Sequence, residues 1–554
     1  MEIVRAAHPA ALRYPGSMRR RQFLQAVAAA LGLPAASRAA APVPHLRGLS
    51  ASNEGRRFAG DGPHLTTISP RRAGRRRAVI RFSLTGRARV RLEVIRTDTI
   101  RVGKPLGEVV WWVERAFKAG AHEVAWRPPR ELQPRTYQVR AVVSAGGRRR
   151  TYGMHRPGGK VTGPVVRVLG VDVALTKTSY APGEPTDLRI ASDSPSLEVQ
   201  VFHYAGPERF VERDLRTNGV AVTPPAHVDW SAHPDAPSQL RFLRAGEWRS
   251  GLYFVRARAD DGDVGYAPFI VRPRTLGEHR IAIVLSTNTW QAYNFHDADG
   301  DGWGDSWYVS SSTRSVDVSR PFLDFGVPFR FRDWDLAFVA WLNRTGKQVD
   351  FLSDDDVESA GTGDRLRRAY DLVVFPGHAE YVTSRELEIV ERYRDLGGSL
   401  LFLSANNFFC RVRRDGPRLV REKLWRDLGK PESALVGVQY VASDYGQLQG
   451  PFVVRGADAA GWAFEGTGLE NGSSFGRYGI ELDARTAASP PGTTLLAEIK
   501  NLMGVGRSAE MTYYETSAGA KVLAAGVLNF ASSIDDPQVS RLVENVWARL
   551  SRST

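Results

Sequence analysis

One cysteine, Cys410, stands in 554 residues. That excludes a disulfide framework within the chain and any cysteine-rich zinc site. No apolar run reaches 18 residues, so an ordinary membrane-spanning helix is excluded too. No RNA-binding aromatic motif or helix-turn-helix pattern accompanies the arginine runs, which argues against nucleic acid as a partner. What the chain does have is 42% hydrophobic residues, with 13 Trp, 17 Tyr and 24 Phe. This composition excludes a disordered chain, and the length fits about three domains.

Charge is unevenly spread. Residues 42–150 hold 24 Lys/Arg against eight Asp/Glu, a surplus of +16 in a chain of +15 overall. A basic front on a mildly acidic remainder suits an anionic envelope surface or another anionic partner. Arg71-Arg72, Arg75–Arg77 and Arg148–Arg150 sit beside glycine and read as solvated loop charge.

At the front, Arg19-Arg20-Arg21-Gln22-Phe23-Leu24 precedes the short apolar run Ala26–Leu33, Pro34 and Ala39-Ala40-Ala41. That is a charged region, a short apolar region and an A-x-A cleavage pattern. Arg20-Arg21-x-Phe23-Leu24 resembles a twin-arginine signal, which implies export of the folded protein to the periplasm or the medium. Residues 1–41 are expected as this leader, starting at Met1 or Met18, and the mature protein keeps no transmembrane anchor.

Residues 42–75 read as a basic linker. From 76 to 160 apolar residues alternate: Ile80, Phe82 and Leu84 face one way, as do Val90, Leu92 and Val94. Val165–Val173, Leu197–Phe202 and Gly251–Arg258 continue the period of two through 161–275. Both segments read as immunoglobulin-like β-sandwiches, and neither gathers titratable side chains in a catalytic pattern. After 276 short buried strands (Ile281–Leu285, Val349–Leu352, Asp371–Phe375, Leu400–Leu403) alternate with helices. One helix is opened by Thr383-Ser384-Arg385-Glu386 and another by Asp536-Pro537. Strands alternating with helices predict an α/β domain over 276–554 with a mainly parallel sheet, whose ligands sit beyond the strand carboxyl ends.

Those ends carry polar residues. Ser286–Asn294 follows the first strand, Pro376-Gly377-His378-Ala379-Glu380-Tyr381 the third, and Ser404-Ala405-Asn406-Asn407-Phe408-Phe409-Cys410 the fourth. His378 and Glu380 suit acid/base work and Asn406 suits hydrogen bonding to a small-molecule substrate. Asn and Ser here also suit satisfaction of loop backbone. Cys410 lies too far past the fourth strand to be an elbow nucleophile and reads as a small buried residue.

A calcium loop is expected at Asp297-Ala298-Asp299-Gly300-Asp301-Gly302-Trp303-Gly304-Asp305. Its carboxylates at positions 1, 3, 5 and 9, glycine at 6 and the Trp303 carbonyl at 7 fit an EF-hand-like cage, and Tyr308 stands where a bidentate Glu is usual.

Six motifs then carry a resemblance over roughly 276–554: Thr287–Asn294, Asp317-x-Ser319-Arg320-Pro321-Phe322, His378-x-Glu380-Tyr381, Asn406-x-Phe408-Phe409-x-Arg411-Val412, Gly479–Asp483 and Glu510-Met511-x-Tyr513-Tyr514-Glu515-Thr516. The segment resembles the C-terminal domain of the large (beta) subunit of N,N-dimethylformamidase. The resemblance implies a core like class I glutamine amidotransferases and an amide hydrolase with a mononuclear iron held by two tyrosines and a glutamate. Tyr381 and Glu481 match two of those ligands. Phe409 stands where the second tyrosine is expected, leaving Tyr440, Tyr445 or Tyr478, or His378, to complete the shell. The rival reading is a non-catalytic exported binding protein whose crevice takes a glycan or another envelope ligand.

Overall fold

A computed structural model describes residues 42–101, 104–204, 219–310, 312–326 and 328–551; the leader expected at 1–41 lies outside them. Strands dominate the chain. The first sandwich packs the strands Leu46–Ser52, Ala78–Leu84 and Gly120–Trp126 against a sheet built on Arg135–Ala145, Ala88–Arg101 and Lys104–Phe117. Ile80, Phe82, Leu84, Val90, Leu92 and Val94 meet in its core around Trp126 and Tyr137. The stretch 42–75 is not a linker, because it supplies the strands Leu46–Ser52 and Leu65–Ile68. Val165–Val168 also belongs here, paired in parallel with Leu65–Ile68 and antiparallel with Arg135–Ala145. The chain breaks at Gly170, where a Cβ would stand 2.5 Å from the Pro134 ring. The strand expected over 165–173 is therefore two, and the second, Asp172–Leu175, opens the second sandwich.

In the second sandwich the strand Gly251–Ala259 is buried along nearly its whole length. Tyr253, Val255 and Ala257 fill the core between its sheets. Leu252 and Phe254 turn outward and pack with Tyr204 and Phe331 in the core of the following domain. Asn343 Nδ2 donates to the Tyr204 carbonyl at 2.9 Å, and the Phe351 amide donates to Ser250 Oγ at 2.8 Å, across the same boundary.

The arginine runs tie the sandwiches together. The buried Arg71 pairs with Asp193, Asp261 and Asp263, and Arg72 and Arg75 pair with Asp235. These arginines are not solvated loop charge: they meet an acidic partner inside the chain. Arg148–Arg150 remains exposed on a strand.

The last domain is centred on a nine-stranded sheet ordered Asp350–Ser353, Ile281–Leu285, Leu372–Phe375, Ser399–Phe402, Lys521–Ala524, Ala509–Glu515, Thr494–Ile499, Gln449–Val454, Ser474–Gly479. The first five strands are parallel; the remaining joints are antiparallel. A mainly parallel sheet of glutamine-amidotransferase type is thus not supported. The antiparallel half comes from 449–515, hairpin segments without intervening long helices. Thr383 and Asp536 cap their helices as expected. Two small sheets lie apart from this one, joining Tyr381–Thr383 to Cys410–Asp415 and Gln439–Ser443 to Glu481–Ala484. Among the described residues no helix is long and apolar enough to cross a membrane.

Candidate functional site

The loops after the first, third and fourth parallel strands are laced by backbone bonds. Thr289 Oγ1, in the short helix Thr287–Ala292, accepts from the amides of Glu380 and Tyr381 at 3.2 and 3.3 Å. The Phe408 amide donates to the Ala379 carbonyl at 2.7 Å, and those of Phe409 and Cys410 donate to the Glu380 carbonyl. Asn406, Phe408 and Ile480 are left-handed, with φ of 55°, 57° and 69°. For a β-branched residue such as Ile480 that conformation is strained, and it directly precedes Glu481.

His378, Glu380, Asn406, Tyr381 and Glu481 come together in this buried crevice. His378 Nδ1 donates to the Ala405 carbonyl at 3.0 Å, which directs Nε2 inward. Nε2 stands 3.2 Å from Glu380 Oε2 and 3.7 Å from Glu481 Oε2. Burial alone would depress the imidazole, but the Glu481 and Glu380 carboxylates raise its pKa to about 9. Burial raises Glu481 to about 7, against the His378 charge and a hydrogen bond from Asn406. Glu481 Oε2 and Asn406 Oδ1 are nevertheless buried without a hydrogen-bond partner. Such groups are rare, because an unmet buried acceptor costs about 1–3 kcal/mol. Two such acceptors lie together in this crevice, as two others do on Asp193 and on Glu386 elsewhere in the fold.

Tyr381 is buried, and its hydroxyl is bonded to Glu380. Burial, then the Glu380 charge, raises its pKa well above 10. Tyr293, which the sequence reading did not single out, donates to Glu380 and stands 3.3 Å from His378 Nε2. Asp483 was missed as well; it accepts the Asn406 amide on both oxygens. The prior signal was membership of a motif: Tyr293 in the strand-end stretch Ser286–Asn294, Asp483 in the family-like stretch Gly479–Asp483.

The Phe409 ring packs on Tyr440 at 5.4 Å, and the Tyr440 phenol feels the Glu481 and Glu380 charges. Tyr445 is exposed. Tyr478 is not in the crevice: it is packed on Phe452, Phe475 and Phe530 in the core. Cys410 is buried, and its thiol is pushed up to about 11 by burial, so it makes no thiolate pair with His378. A G-x-S-x-G spacing does occur at Gly472–Gly476, but Ser474 is exposed at the start of an antiparallel edge strand, not on a nucleophile elbow.

A second network lies behind His378. Asp335 is in a π-helical turn, Arg332–Leu336, and accepts from Trp290 Nε1 at 3.2 Å. Its other oxygen would meet a Cβ on Gly377 at 2.4 Å, so only glycine fits beside His378 there.

The acidic loop is also well formed. Asp297 Oδ1 accepts from Gly300 N at 2.7 Å, and its Oδ2 accepts from Gly302 N at 2.8 Å. Asp297, Asp299 and Asp305 each bring an oxygen within 4.8 Å of the others. Asp301 stands outside that group and accepts from Trp303 N at 2.6 Å. Burial and mutual repulsion push Asp297 up to about 8 and Asp301 to about 7. The Trp303 indole donates to the His155 carbonyl at 3.0 Å, and Gly302 lies against Gln138, so the loop is seated on the first sandwich.

The family model for "N,N-dimethylformamidase beta subunit-like, C-terminal" matches residues 208–541. The chain belongs to this family. Among relatives, the N,N-dimethylformamidase beta subunits of Alcaligenes sp and Paracoccus aminophilus are 30% and 31% identical over 142 residues, or 26% of this chain. The match spans only 18% of each of those proteins. Solved structures are distant. Escherichia coli alpha-2-macroglobulin activated by porcine elastase is 13% identical, with 38% of this chain and 20% of that one covered and a TM-score of 0.16. Red sea bream transglutaminase is 11% identical, with 40% and 31% covered and a TM-score of 0.15. Likenesses this slight carry no argument about the dimethylformamidase-like domain.

Proposed function

We propose that this protein hydrolyses a small amide or related C–N bond in the crevice around His378. The observation that carries this reading is the pairing of two orphaned buried acceptors, Glu481 Oε2 and Asn406 Oδ1, with a histidine flanked by two carboxylates. Family membership supports an amide-acting hydrolase. Glu380 accepts a proton from the attacking water, while Tyr293 holds that carboxylate in place. Asn406 hydrogen-bonds and orients the substrate amide. His378 delivers a proton to the departing nitrogen as the C–N bond breaks, leaving a carboxylic acid and an amine.

Tyr381 and Glu481 offer hard oxygens, and the unmet Glu481 Oε2 fits a metal such as iron. When bound, that ion supplies Lewis acidity. With Phe409 in the second tyrosine position, Tyr440 is the phenol best placed to replace it, and His378 is the alternative. Export is part of the same proposal, on the twin-arginine-like pattern of residues 1–41. We also propose that Asp297, Asp299 and Asp305, with the Trp303 carbonyl, hold calcium.

Iron content of the purified protein and amine release from N,N-dimethylformamide and acetamide test this reading together. Stoichiometric iron and turnover, both lost in Glu481→Gln, support it. Iron-free, inactive protein leaves the non-catalytic binding role, to which the Phe409 replacement already points.

A further inference from the structure

A separate cavity of about 250 Å³ lies where the two sandwiches and the last domain meet. Each module gives it at least one basic side chain. Arg167 comes from the first-sandwich strand Val165–Val168, Arg189 from the second-sandwich strand Pro185–Ala191, and His296 from the loop after Ile281–Leu285.

Neither guanidinium makes a side-chain hydrogen bond or ion pair among the described residues. The third arginine on the wall is different: Arg320 spends four of its five N–H groups on the carbonyls of Gln291, His296, Asp305 and Asp317. Of the two carboxylates present, Asp317 already accepts from Ser319 twice. Asp172 is the carboxylate beside Arg167: burial raises its pKa, and the Arg167 and Arg71 charges oppose that rise. His296 Nδ1 is buried without a partner, and burial together with the surrounding arginines holds the ring neutral. Phe58, Leu169 and Pro237 supply apolar wall.

Arg167 is half-buried and Arg189 exposed on the wall of this partly open cavity, and an anion seated between two such guanidiniums gains charge-assisted hydrogen bonds from both. We propose that this cavity binds a small carboxylate with an apolar body, gripped by Arg167 and Arg189 across the junction. This inference does not rest on the reaction assigned to the His378 crevice. A ligand here touches all three modules, so its binding resists their separation.

The test uses the whole protein with benzoate as probe, sodium chloride at equal ionic strength as control, and sulfate as a carboxylate-free anion. Calorimetric titration should show saturable benzoate binding, and benzoate should raise the melting temperature more than sulfate does. Arg167→Gln and Arg189→Gln should each weaken benzoate at least about tenfold, the loss of one charge-assisted contact. Ala191→Leu, which narrows the cavity, should weaken it too. Glu481→Gln should leave it unchanged. Absence of saturable binding to wild-type protein overturns the proposal. So does equal binding of sulfate, or loss of benzoate binding in Glu481→Gln, which would place the probe in the other crevice.

Discussion

The Asn406 backbone N–H donates to both carboxylate oxygens of Asp483, each at 2.9 Å. That bond holds Asn406 in its left-handed conformation and keeps its carboxamide beside Glu481. Asp483→Asn keeps one acceptor and sets an NH2 group against the amide. The expected result is a loss of about 10–100-fold in kcat, the range for groups that orient ligands. KM should change less, and with iron held at the proposed site its content should fall in parallel. A variant that is merely less stable, with kcat intact in its folded fraction, would show Asp483 to be structural only.

The pair Arg71 and Asp193 makes a second prediction. The Asp193 side chain is fully buried, neither of its oxygens has a hydrogen-bond partner, and Arg71 stands 3.5 Å away. Arg71→Ala strands that carboxylate and should destabilise the protein by about 3–5 kcal/mol. Thermal or urea unfolding should show an early transition of the sandwiches. Adding Asp193→Asn to Arg71→Ala should recover part of the loss, and no recovery would mean that packing of the arginine stem dominates.

Those pairs also mark the limit of what the sequence discloses. The alternation of Ile80, Phe82 and Leu84 forecast a sandwich because burial on one face imposes a period of two. The arginine run at 71–77 has no such signature: whether a charge is solvated or paired depends on Asp193 and Asp235, more than a hundred residues away. His378, Glu380 and Asn406 stood out because strand ends of an α/β sheet collect functional residues, Tyr381 and Glu481 because of the family resemblance, and the structure brings the five side chains together. Tyr293 and Asp483 did not stand out, because their importance lies in what they touch. The antiparallel half of the large sheet was hidden for a related reason. Residues 449–515 form strands with irregular burial patterns broken by bulges at Gly450 and Leu495, which blur the period.

Asp335 supplies a pH prediction. Burial lifts its pKa from 3.8 to about 7, so the neutral form is the one the fold prefers. A group whose folded pKa is raised gives stability below its unfolded pKa and loses it as pH rises through the folded one. Between about pH 4 and pH 7, wild-type protein should lose stability relative to Asp335→Asn. By the linkage relation the difference is on the order of 4 kcal/mol, an upper figure for a buried group. Trp290 keeps an oxygen acceptor in the variant. Parallel stability curves for the two proteins across that range would show that Asp335 ionises without cost.

The last prediction concerns the acidic loop. Asp297 spends its oxygens on the amides of Gly300, Asp301 and Gly302, so altering it would break the turn as well as remove a ligand. Asp299 is exposed, and among the described residues its side chain bonds only the Asp301 amide, at 3.0 Å, which makes Asp299→Asn the cleaner probe. Calcium that binds only the folded loop stabilises by mass action, about 2.7 kcal/mol at a hundredfold excess over Kd. Magnesium should do much less, because it demands a tight octahedron. The wild-type melting temperature should therefore rise in calcium over chelator, and the rise should shrink sharply in Asp299→Asn. Since Trp303 is anchored to the His155 carbonyl, chelation should also shift its fluorescence as the loop loosens from the first sandwich. Identical melting in calcium and chelator, with no calcium by elemental analysis, would mean that the Asp297–Asp305 turn is held by its backbone bonds alone.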